Sequence, residues 1–289
     1  MLLMFLLGGC PAAREAASVA DKPVVVVSIY PLADWVREVA GEAVEVYTLL
    51  PPGANPHSFE PTPEIAARAA QASLRLVIGL GLDEWAQSLQ TPRATTLVLS
   101  EGLETVPMAA DHPGEASGPN PHLWMDPVRA AEMVARLVPA LVRIAPARRE
   151  EIERRAEEYQ AQLQALGEEL AKACQPYAGR RVITMHNAYD YFLLRCGLPT
   201  EKVVTPFPGK EPSIQYLQEL AAWARQQEVR VIFAEPVFSP KLAEVLAREI
   251  DGQVLLLDPL GDPQDPARDT YVKLIKWDLQ QLLRGLQAG

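Results

Sequence analysis

The chain has 289 residues, enough for two domains of ordinary size, and 48% of them are apolar, enough to fill a core in each. Its net charge of −10 argues against a nucleic-acid partner, because binding phosphate needs a basic surface. The same charge gathers cations near the surface and repels anions.

The chain opens with MLLMFLLGGC. This apolar run is shorter than the roughly 20 residues of a membrane span and suits the end of a secretory signal. Gly8 and Gly9 before Cys10 resemble the lipobox of bacterial lipoproteins, in which the cysteine is lipidated. Residues 1–22 are therefore expected to be a signal or lipoprotein segment with a short polar tether. That places the protein outside the cytoplasmic membrane, in the periplasm or on the cell surface, anchored through Cys10.

Residues 24–29 form a β-branched apolar run, the mark of a strand buried on both faces. A helix is predicted over 32–40 and a second strand over 44–50. The loop PPGANPHSFEPTP follows, with five prolines in thirteen residues. Helices over 63–72 and 84–90 alternate with strands over 74–78 and 96–99. Strand alternating with helix predicts a parallel, doubly wound sheet. Residues 104–121 read as a loop, and 126–144 as a helix ended by Pro146.

A long helix is predicted over 147–173, with Ile152, Ala156, Tyr159, Leu163, Leu166 and Leu170 on one stripe. At 1.5 Å per residue it is roughly 40 Å long, too long for one small domain. Beyond it the alternation resumes. Strands are predicted over 181–185, 202–205, 231–234 and 254–257, and helices over 188–196, 214–227, 240–250 and 270–286. The expected fold is α/β, with an N-terminal lobe over 23–146, a linking helix over 147–175 and a C-terminal lobe over 176–289. One rigid helix joins the lobes and a cleft lies between them.

Three of the four histidines stand next to element ends. His57 is in the loop after the second strand, His122 precedes a helix in NPHLWMDP, and His186 directly follows RVITM. Asp258 follows the strand VLLL. Loops at the carboxyl ends of parallel strands form the binding crevice of open α/β sheets. Three imidazoles and a carboxylate suit Zn²⁺, with Mn²⁺ as the alternative. Both His57 and His122 follow Asn-Pro, which stiffens the loop and lowers the entropy lost on binding. Because imidazole must be neutral to bind metal, affinity is expected to fall below about pH 6.5. His112, in DHPGEASGPN, reads as a solvated loop residue. Cys174 and Cys196 lack metal-site spacing and read either as a disulfide or as two buried thiols.

The motifs PPGANPHSFEPTP, NPHLWMDP, HNAYDYF, VIFAEPVFSPK and LLLDPLG occur in that order. Together they resemble the cluster A-I solute-binding proteins of ABC importers, the ZnuA/TroA-like zinc and manganese binders, from about Val24 to Leu286. The resemblance implies that His57, His122, His186 and Asp258 are the metal ligands. It implies zinc, since manganese-type members often carry Glu where His186 stands. It also implies two α/β lobes on one rigid helix, a membrane permease as partner, and a binding protein rather than an enzyme. A monomer is expected. The long acidic and His-rich insert of many zinc members is missing from residues 104–121. A zinc hydrolase, with Asp258 as general base, is the alternative from another class. It is disfavoured because there is no HExxH and no evident carboxylate in the ligand loops besides Glu60. A surface adhesin with incidental metal is a third.

Overall fold

The computed structural model describes residues 22–108, 118–206 and 211–288. His112 and Cys10 lie outside the described residues. The N-terminal lobe contains β1 (Val24–Val27), α1 (Tyr30–Ala40), β2 (Glu45–Thr48), α2 (Pro63–Ala69), β3 (Leu74–Val77), α3 (Glu84–Ser88) and β4 (Thr95–Val98). Its strands are all parallel in the order β2-β1-β3-β4. The order reverses between β1 and β3, which opens a crevice at their carboxyl ends. Period-two alternation covers both faces. Val25, Val27, Leu74 and Leu76 share the core of α1, while Val26 and Val77 pack with Ala69 of α2 and Ala86 of α3.

Next come α4 (Pro127–Ile144) and α5 (Arg149–Cys174), joined by a 3₁₀ turn over Pro146–Arg148. Proline at 146 ends α4 as expected, since its ring cannot continue a helix. The predicted stripe from Ile152 to Leu170 is buried throughout. Burial of Ile152, Leu163, Leu166 and Leu170 contributes roughly 1.5–3 kcal/mol each. The exposed pairs Arg149–Glu153 and Arg154–Glu158 contribute about 0.3–0.5 kcal/mol each. The stripe therefore decides where α5 lies. Gly167 lets α4 come close, because a Cβ there would meet Val128 Cγ2 at 2.6 Å. The helix has 26 residues and packs on α1 and α4 in one lobe and on α6 and α9 in the other.

The C-terminal lobe holds β5 (Ile183–Thr184), α6 (Asp190–Arg195), α7 (Ile214–Gln226), β6 (Val231–Ala234), α8 (Lys241–Glu249), β7 (Gln253–Leu256) and α9 (Tyr271–Ala288). Its three parallel strands run β5-β6-β7 in sequence order. Helices again cover both faces. Val231 and Phe233 face the core shared with α9, while Ile232 and Ala234 pack with residues of α7 and α8. The strand expected over 202–205 is one bridge, Val203 to Thr184. The helix expected from 188 begins as a 3₁₀ turn at Asn187.

One apolar cluster runs through both lobes, from Val25 and Leu76 to Phe233 and Leu257. Polar ties cross the same boundary. Trp124 Nε1 donates to Pro259 O at 2.7 Å, Tyr271 N to Asp34 Oδ2 at 2.7 Å, and Tyr191 OH to Asn120 O at 2.8 Å. A shared core and buried crosslinks resist wide opening of the cleft, which agrees with the stiff helix.

Candidate metal centre

Each Asn-Pro-His stretch is a small turn built by its own asparagine. His57 N donates to Asn55 Oδ1 at 2.9 Å, and His122 N donates to Asn120 Oδ1 at 3.0 Å. Side-chain capping two residues ahead is the ordinary turn chemistry of asparagine. Here it turns both imidazoles toward one point. Trp85 Nε1 also donates to Pro56 O at 2.9 Å, fixing the His57 loop on α3.

His122 Nδ1 lies 2.8 Å from Asn120 Oδ1, an acceptor, so the hydrogen sits on Nδ1 and the Nε2 lone pair is free. Asn120 is itself held by donating to Asn187 O at 2.7 Å and Asp190 Oδ2 at 2.9 Å, both in the C-terminal lobe. His186 extends directly from β5. Its Nδ1 is 2.6 Å from Glu235 Oε1, which leaves its Nε2 facing the other rings. Glu235 follows β6, occupies the same strand-end position as His186, and was missed by sequence reasoning. A carboxylate behind an imidazole in this way is the arrangement that orients metal-binding histidines.

The three rings lie 5.0–5.5 Å apart between centroids. One ligand atom from each of His57, His122 and His186 lies within 4.8 Å of the others. The Nε2 atoms of His57 and His122 are 3.1 Å apart. Zn–N bonds of about 2.0–2.1 Å at tetrahedral angles put ligand nitrogens about 3.4 Å apart, so little movement is required to close on an ion. Trp124 and Phe238 wall the site, 5.2 Å from the His122 ring and 5.3 Å from the His186 ring.

Burial in this apolar wall, with the neighbouring His186 adding to it, lowers the His57 pKa to about 3. Burial likewise holds His122 well below the ordinary imidazole value, reinforced by His186 and His57. Both imidazoles are therefore neutral before any metal arrives.

Asp258, the fourth expected ligand, is not among the converging atoms. Its Oδ1 accepts from Leu260 N at 2.9 Å and Gly261 N at 3.1 Å, and its Oδ2 pairs with Arg268 at 2.5 Å. Burial raises its pKa against the pull of these partners. The expectation that Glu60 is the one carboxylate in the ligand loops is corrected by Glu235, which lines the site while Glu60 is exposed.

Truncating Glu235 to alanine should weaken Zn²⁺ binding by about 10–100-fold, the usual effect of losing a ligand's hydrogen-bond partner. Glu235→Gln, which keeps an acceptor for Nδ1–H, should lose less. Competition against a chelating dye measures both, and wild-type affinity in Glu235→Ala would remove Glu235 from the site.

Three inward imidazoles held between two lobes that share one core define a metal-capturing solute-binding protein. The chain belongs to the family described as zinc-uptake complex component A, periplasmic (ZnuA), whose model matches residues 25–285. It is 28% identical to the high-affinity zinc uptake system protein ZnuA of Bacillus subtilis (strain 168), over 97% of this chain and 93% of that one. It is 22% identical to the manganese ABC transporter substrate-binding lipoprotein PsaA of Streptococcus pneumoniae, over 98% of this chain and 95% of that one. A crystal structure of ZnuA superposes with a TM-score of 0.82 at 26% identity, covering 92% of this chain and 99% of that chain. The protein is thus a component of an extracytoplasmic metal-uptake system rather than an enzyme, which sets aside the hydrolase alternative.

Proposed function

We propose that this protein captures Zn²⁺ between its lobes and delivers it to the membrane permease of an ABC importer. His57, His122 and His186 take the ion through their free nitrogens, and Asp258 closes the fourth position. The observation that carries this reading is the convergence of three imidazoles, two of them held neutral by burial. An all-imidazole trio favours zinc over manganese, which prefers more oxygen ligands. The chain acts as a monomer tethered by lipid on Cys10.

In this reading Asp258 joins the ion in competition with Arg268, which holds its Oδ2. The guanidinium has a second partner waiting, since it also pairs with Asp265 at 2.9 Å. The incoming cation then replaces Arg268 as the countercharge of a buried carboxylate, so no charge is left unpaired.

Titration with zinc and manganese tests the assignment. Zinc should win by orders of magnitude, and a preference for manganese would overturn the metal named here. Asp258→Ala should weaken zinc binding by about 10²-fold, the share of one ligand in four. Arg268→Gln should have the opposite sign, strengthening zinc binding several-fold while lowering the melting temperature of the metal-free protein. Unchanged affinity in Asp258→Ala would leave a centre of three histidines without this carboxylate.

A further inference from the structure

We propose that Cys174 and Cys196 are an oxidation site, joined in the exported protein by a disulfide that ties the end of the linking helix to α6. The two side chains are buried free thiols in the structure, with their sulfurs 2.6 Å apart. Non-bonded heavy atoms settle at roughly 3.5–4.0 Å, and a sulfur–sulfur bond is about 2.05 Å. The two sulfurs are therefore within bridging reach of each other.

The backbone holds this approach without help from the sulfurs. Cys174 is the last residue of α5, and Cys196 directly follows α6. Leu198 N donates to Leu193 O at 2.9 Å, which turns the chain back after Cys196. Gly179 N donates to Gly197 O at 3.0 Å, so the segments that leave the two cysteines are themselves bonded. The neighbouring Arg195 pairs with Asp126 at 2.7 Å, anchoring the end of α6 to the start of α4.

Two features argue against a metal role for the thiols. The one cluster of candidate metal ligands among the described residues is the histidine trio, and it contains neither cysteine. Outside the cytoplasm, moreover, paired thiols meet oxidants. The oxidant required is a dithiol–disulfide exchange partner, either an oxidoreductase disulfide or oxidised glutathione. One cysteine thiolate attacks that disulfide, forming a mixed disulfide and expelling one thiolate. The second cysteine thiolate then attacks its partner's sulfur in the mixed disulfide, forming the Cys174–Cys196 bond and expelling the oxidant's other thiolate. The expelled thiolates take up the two protons, and the oxidant leaves reduced by two electrons. Both sulfurs are shielded in the finished fold, so exchange precedes final packing.

The bridge lies at the far end of α6 from Asp190, so it should support stability and leave the metal site alone. The full chain, exported behind a secretion signal, is denatured with iodoacetamide present and digested. Cys174 and Cys196 should appear as one linked peptide pair, and each should gain an adduct only after reduction. Adducts on both without reductant would overturn the proposal. Cys174→Ala/Cys196→Ala should melt roughly 5–10 °C below the oxidised protein and match the wild type refolded with reductant. Its zinc affinity should stay within about threefold of wild type. A melting point equal to that of the oxidised protein, or loss of bound zinc, would each count against the bridge.

Discussion

Replacing His57 by alanine should weaken Zn²⁺ binding by roughly 10²–10³-fold and leave the fold intact. Four-ligand zinc sites gain about 10–16 kcal/mol on binding, so one ligand in four carries about 3 kcal/mol. At about 1.4 kcal/mol per decade this is two decades or more. His57 is the cleanest of the three to remove. It is mostly buried but sits on a loop that Trp85 and Asn55 hold by other atoms, so the apo melting temperature should hardly move. His186→Ala should lose comparable affinity and also destabilise the metal-free protein. Its removal strands Glu235, a buried carboxylate whose second oxygen already lacks a partner. Leaving such a group unsatisfied costs about 1–3 kcal/mol. Competition titration against a chelator, with melting curves alongside, separates the two effects. Wild-type affinity in His57→Ala would remove this residue from the site.

The frame of the protein was legible because its signals are local and repeated. Runs such as Val24–Val27 read as strands with both faces covered, and they are. The α5 stripe from Ile152 to Leu170 could be read residue by residue, because a two-lobed core needs an unbroken apolar edge along its linker. The weaker predictions were those that depend on partners distant in sequence. Residues 202–205 have strand character but find one bridge, because their neighbour β5 is only two residues long.

The histidines were legible for a different reason. Strand ends in parallel sheets converge, and His186 stands at one, while His57 and His122 sit in Asn-Pro loops beside element ends. Asn-Pro stiffens both histidine loops, and the asparagine side-chain carbonyl adds to this by capping the histidine backbone. Glu235 carried the same strand-end signal as His186 and was passed over, because a single Glu before Pro looks like loop chemistry until β5 and β6 pair. Asp258 shows the opposite limit. Its position at the end of β7 was readable, but its ion pair with Arg268 was not, since it depends on the path of the loop between them. Side-chain partners across a turn are settled by three-dimensional placement, not by spacing.

That limit also governs the pH response. Composition alone predicts zinc affinity falling below about pH 6.5, as for free imidazole. Three ordinary imidazoles would each lose about 25-fold in neutral population between pH 7 and pH 5, or about 10⁴ together. His57, at about 3, and His122, held well down by burial, are already neutral across that range and gain nothing from higher pH. The fall in affinity from pH 7 to pH 5 should therefore stay below about 10²-fold. Global stability is a poorer probe of the same groups, because the signs oppose. A histidine with a depressed folded pKa loses stability as pH falls below the unfolded value of about 6.5. Asp34 and Asp190, raised by burial to about 6 and about 7, act the other way. Their stabilisation is present at low pH and is lost as pH rises through those values. Zinc titrations on folded protein at pH 7, 6 and 5 isolate the site from this balance. A 10⁴-fold loss by pH 5 would mean that the imidazoles meet solvent freely, and the buried, pre-neutralised centre described above would have to be abandoned.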